Sequence, residues 1–96
     1  MLVHIVIFKF NEQNFEANIL KVTQELNSLV DKIDVLKSME VGVNFTQSDR
    51  AFDLSLYSTF DTKEDLQAYA IHPEHLKVVA LIKSVTSESK VVDYII

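Results

Sequence analysis

The sequence predicts an α+β domain of the ferredoxin-like type, β-α-β-β-α-β, with four antiparallel strands in one sheet and helices on one of its faces. Three observations predict it. Apolar residues alternate with period two at both ends of the chain and in two central runs. A long segment after the first run carries a single helical stripe. A second helical region is split at His72-Pro73.

The first strand covers residues 1–10. Leu2, His4, Val6, Phe8 and Phe10 fall on one face and Val3, Ile5 and Ile7 on the other. Both faces are mostly apolar, whereas one layer of helices covers only one. Residues 11–33 follow as the first helix, with Phe15, Ile19, Val22, Leu26, Leu29, Val30 and Ile33 on one stripe. Residues 34–37 form the turn out of it.

The second strand spans 38–45 and the third 51–60, joined as a hairpin by the polar loop 46–50. Met39, Val41, Val43 and Phe45 share a face of the second strand. Gly42, the single glycine, predicts a bulge or a close backbone approach there. On the third strand Phe52, Leu54, Leu56 and Phe60 share one face, and Asp53, Ser55, Tyr57 and Thr59 the other.

Asp61 and Glu64 fit a capping box at the start of the second helix, which runs to about Ala70. Pro73 fixes its own φ and suits a first helical position, while His72 before it is pushed towards an extended conformation. The helix therefore breaks and restarts, continuing through Leu76, Val79, Ala80 and Ile82 to roughly Ser84. Residues 86–90 form a polar link, and 91–96 the last strand. Val92, Tyr94 and Ile96 then join Val3, Ile5 and Ile7 on a sheet face without helices. A second copy covers that face most simply, with Ser55 and Tyr57 as a polar band within the interface.

Composition narrows the function classes. The 96 residues make one domain, 1–96, and 48% of them are hydrophobic, much for so small a chain. Nine Lys and Arg against 14 Asp and Glu give a net charge of −5, and no basic stripe tracks a phosphate backbone. Nucleic acid is not an expected partner. Without cysteine there is no disulfide framework, thiolate chemistry or zinc–cysteine site, which fits a cytoplasmic setting. The apolar opening is short and carries Lys9, so it reads as a strand and not as a signal peptide or membrane span. No glycine-rich phosphate loop or nucleophile-elbow serine is present.

The opening residues 1–10, the segment from Phe52 to Asp61, the block from Asp65 to His75 with its two histidines around Pro73, and the closing Val91-Val-Asp-Tyr94 together resemble the stress-responsive α/β-barrel family, Dabb. The resemblance spans essentially the whole chain, and the histidine–proline block is its most specific part. It implies a homodimer in which two sheets form a dimeric α+β barrel. The family contains proteins without known activity and a few enzymes, among them plant polyketide cyclases. In those cyclases a tyrosine and a histidine on the split helix and a histidine on strand one line a pocket between sheet and helices. Tyr69, His75 and His4 match these positions, whereas Leu54 stands where the cyclases carry a further histidine on strand three.

His75 is the candidate general base or acid, because an imidazole titrates near neutral pH, and Tyr69 beside it could orient it or donate to a developing oxyanion. His4 completes the set, and Val6, Phe8, Leu54, Leu56 and Ile71 are expected to line the pocket. The competing reading gives His75, Tyr69 and His4 a structural role, tying the split helix to the sheet. His72 and His75 are three apart, but no third ligand is near, so no metal is expected. Nor is a cofactor; heme or oxygen chemistry with His75 as axial ligand is the weakest reading. The sequence thus supports a cytoplasmic homodimer binding a small apolar or carbonyl-bearing molecule, with cofactor-free cyclase- or isomerase-like catalysis. The rival is a non-catalytic, stress-related dimerisation module whose pocket is filled by Phe8, Phe10, Phe15 and Leu54.

Overall fold

The computed structural model describes residues 1–96 and has the elements β1 (Leu2–Phe10), α1 (Phe15–Ser28), a 3-10 turn (Leu29–Asp31), β2 (Ser38–Val43), β3 (Leu54–Phe60), α2 (Lys63–Ala70), α3 (Pro73–Val85) and β4 (Thr86–Ile95). The strands form one antiparallel sheet in the order β2-β3-β1-β4. This is the ferredoxin-like arrangement, with the second helix divided at His72-Pro73.

Register follows the alternation of the sequence. Ile5 lies opposite Tyr57 on one side and Val92 on the other, and His4 lies opposite Ser58 and Asp93. Even-numbered residues of β1 and β3 therefore face the helices. Leu2, Phe8, Phe10, Leu54, Leu56 and Phe60 from the sheet interlock with Ile19, Val22, Leu26, Leu29 and Ile33 from the first helical segment and Tyr69, Val78 and Ile82 from the split helix. Together they form one continuous core.

The split follows from backbone chemistry. His72 is extended (φ −66°, ψ 134°), its Nδ1 accepts from the Glu74 amide at 3.1 Å, and Pro73 opens α3. The missing proline N–H costs nothing at a helix start.

Several boundaries differ from the periodicity. The first helix starts only at Phe15, because Asn14 takes a left-handed conformation (φ 55°) that asparagine tolerates better than most residues. The cap of α2 is Thr62 and not Asp61, its hydroxyl accepting from the Asp65 amide at 3.1 Å. Gly42 causes neither bulge nor close approach: β2 pairs with β3 without a shift, and a methyl at Gly42 would meet Ser55 Oγ at 3.4 Å, an ordinary contact. The irregularity falls between Lys9 and Phe10 against β4. Phe45 lies beyond β2 and is 94% exposed, not inward with Met39 and Val41. Residues 86–90 are strand and not link, because β1 supplies their backbone hydrogen bonds.

The sheet face away from the helices is uncovered. Tyr57, Val92, Tyr94 and Ile96 are exposed there, beside half-buried Ile5 and Ile7 and exposed Ser55. Val3 departs from its expected interface role: it is fully buried within the single chain, opposite Thr59 and Tyr94. No helix is long and apolar enough to cross a membrane.

Candidate functional site

A cavity of about 200 Å³ opens between the sheet and the split helix. Val6, Phe8 and Leu56 line it from the sheet and Leu26 from α1, while Tyr69, His75 and His4 share one wall system with Val79 and Ile82. Its volume lies below the roughly 300 Å³ at which ligand pockets usually begin. A small ligand is what it can hold.

The helix break brings the polar tips together. Tyr69 ends α2 and His75 begins α3, and their ring centroids lie 4.1 Å apart at 34°. His4 meets the Tyr69 ring edge-on at 6.5 Å. Phe60 backs both, 5.0 Å from Tyr69 and 6.4 Å from His4.

The three tips differ in their hydrogen-bond partners. The Ala70 carbonyl can only accept, so the His75 Nδ1 that contacts it at 3.2 Å carries a hydrogen and donates it. That leaves Nε2 as the basic nitrogen. Burial lowers the His75 pKa; the Ala70 hydrogen bond opposes this, and the nearby His4 and His72 reinforce it. His4 Nδ1 is paired with the Asp93 carboxylate, and the His4 carbonyl accepts from the Ser58 hydroxyl at 3.1 Å. The Tyr69 hydroxyl is buried without a hydrogen-bond partner, and desolvation pushes its pKa up. It is a neutral donor with nothing to donate to.

The His75 shift has a consequence for stability. Unfolded His75 takes up a proton near pH 6.5 and folded His75 only at lower pH. Between the two values the unfolded chain binds more protons. The stability contributed by neutral His75 is thus full above pH 6.5 and lost as pH falls through the folded value. An NMR titration of the His75 ring should show a midpoint below 6.5; a midpoint at or above 6.5 would contradict the geometry.

Not every expected lining residue is there. Ile71 ends α2 and points outward, 75% exposed, because the break turns it away from the sheet. Leu54 is sealed in the core near the far end of β3 and does not line this cavity. Phe10, Phe15 and Leu54 pack without filling the space, and of the four proposed fillers only Phe8 reaches its wall. Sequence reasoning missed Asp93, Lys83, Thr86 and Ser89. The face of Asp93 is within reach of the alternation, since Val92 and Tyr94 outward put Asp93 on the helix side, but its place opposite His4 comes from the register of β4 against β1. No group of three His, Asp or Glu side chains converges to hold a metal ion.

The architecture and this cavity define a ferredoxin-like α+β domain with Tyr69, His75 and His4 gathered between sheet and split helix. The chain belongs to the stress responsive A/B barrel domain family, Dabb, which matches residues 2–96. It is similar to the stress-response A/B barrel domain-containing protein DABB1 of Arabidopsis thaliana, at 36% identity over 97 residues, covering 96% of this chain and 45% of that protein. The chain thus spans less than half of that relative. Olivetolic acid cyclase of Cannabis sativa is 26% identical, covering 95% of this chain and 92% of the cyclase. A dimeric protein of unknown function and ferredoxin-like fold from Bacteroides fragilis superimposes with a TM-score of 0.87 at 29% identity, covering 97% of this chain and 93% of that one.

Proposed function

We propose that the domain works as a cytoplasmic homodimer that binds a small carbonyl-bearing molecule in the cavity and moves a proton at the carbon next to that carbonyl, without a cofactor. One observation carries the reading: Tyr69, whose buried hydroxyl has no hydrogen-bond partner, and His75, whose Nδ1 is engaged by the Ala70 carbonyl, line the same cavity. A buried polar group without a partner costs of the order of 1–3 kcal/mol. A ligand oxygen accepting from it recovers that cost.

In this reading His75 Nε2 takes the proton, and the electron pair of the broken C–H bond moves onto the carbonyl oxygen as an enolate. Tyr69 donates a hydrogen bond to that oxygen where charge develops. The protonated His75 then returns the proton to carbon. His4, fixed by Asp93, orients the ligand from the sheet side. A cyclase of similar sequence supports the class of chemistry. The dimer rests on the uncovered apolar face and on a dimeric relative of the same fold.

A second reading, a non-catalytic dimerisation module, draws support from the small cavity. Deuterium uptake by 2-hexanone in D2O, followed by proton NMR, separates the two. The wild-type protein should accelerate uptake beside the carbonyl at least tenfold over buffer, and His75→Ala should return it to the buffer rate. Wild type at the buffer rate favours the module.

A further inference from the structure

The cavity has a second polar end that the proton chemistry does not use. Lys83 in the last turn of α3 and Thr86 and Ser89 on β4 line it. The twelve lining residues include one lysine and two histidines but no aspartate or glutamate, although the chain carries five more acids than bases.

Two of the three donors at this end, on Lys83 and Ser89, have no partner within the chain. Lys77 pairs with Glu74, Lys90 with Glu88 and Lys37 with Asp61, whereas the Lys83 ammonium has no ion-pair partner. The Thr86 hydroxyl is committed to the Ile82 carbonyl at 2.8 Å. The Ser89 hydroxyl makes no hydrogen bond within the chain and is available to a ligand. Asp93 is tied to His4.

We infer that Lys83 and Ser89 form an anion-recognition subsite at the mouth of the cavity, so that the ligand is a small organic acid. Its carboxylate meets Lys83 while its apolar body lies along Val6, Phe8 and Leu56 towards Tyr69 and His75. This rests on the ligand-binding reading above and gives it a substrate class: a small oxo acid, anchored at one end and deprotonated at the other. The bland alternative is that Lys83 only complements the carbonyl end of α3.

Benzoate and benzamide, nearly isosteric and differing in charge, separate the two. In amide NMR titrations at millimolar probe, wild type should bind benzoate at least fivefold more tightly than benzamide, with shifts around His4, Tyr69 and His75. Lys83→Gln should abolish that preference while leaving benzamide binding unchanged, and Lys83→Arg should keep it. Lys83 is exposed, so these variants fold. Equal binding of both probes to wild type, or a preference that survives Lys83→Gln, overturns the subsite and leaves the cavity reading standing. If neither probe shifts cavity resonances, the subsite and the cavity reading both fall.

Discussion

Phe60→Ala should destabilise the protein by about 3–5 kcal/mol, the range for removing a fully buried aromatic ring from a packed core. Phe60 ends β3 with no exposed surface, and its ring touches both Tyr69 and His4. Deleting it loses the transfer energy of the ring and opens a cavity directly behind the candidate site. Against a total stability of about 5–15 kcal/mol for a domain of this kind, that is a large fraction. Urea unfolding monitored by circular dichroism measures it through the midpoint at unchanged slope. A cost under about 1 kcal/mol would mean that the ring is not packed as described.

Val92→Asp should convert the proposed dimer to monomer, weakening self-association at least 100-fold. Val92 lies on the uncovered sheet face, opposite Ile5, and is more than half exposed in the single chain. A carboxylate there stays hydrated in the monomer, so the fold is spared. In a two-fold interface it would bury two unpaired charges, each costing several kcal/mol. A 100-fold change corresponds to about 2.8 kcal/mol, well within that cost. Sedimentation at micromolar concentration reads the outcome: dimeric wild type and monomeric Val92→Asp support the face-to-face arrangement. Monomeric wild type removes it.

Much of this architecture is written in local patterns. Period-two alternation places His4 inward, and the rigid φ of Pro73 splits the helix so that Tyr69 and His75 flank one break. Those features depend only on near neighbours in the chain. Asp93 depends on the register of β4 against β1, which joins residues 89 positions apart. Nothing local specifies that pairing. The polar start of β4 read as a link because edge-strand side chains are solvated on both faces, and its strand character comes entirely from its partner. Lys83 carries no signal of its own in the sequence, because a lysine in the last turn of a helix is also ordinary dipole complementation. Ile71 shows the opposite failure: its apolar side chain suggested the pocket, while the helix end that carries it turns to solvent.

The pH dependence of ketone exchange tests the central claim, that His75 is a base in a ligand cavity, more directly than any other measurement. Deuterium uptake by 2-hexanone should rise with a midpoint below pH 6.5, matching the lowered His75 pKa. Tyr69→Phe should slow it by removing the donor to the enolate oxygen, and His75→Ala should leave only the buffer rate at every pH. A wild-type rate that tracks buffer across the range, or one that survives His75→Ala, would contradict the account and return the three side chains to a structural role.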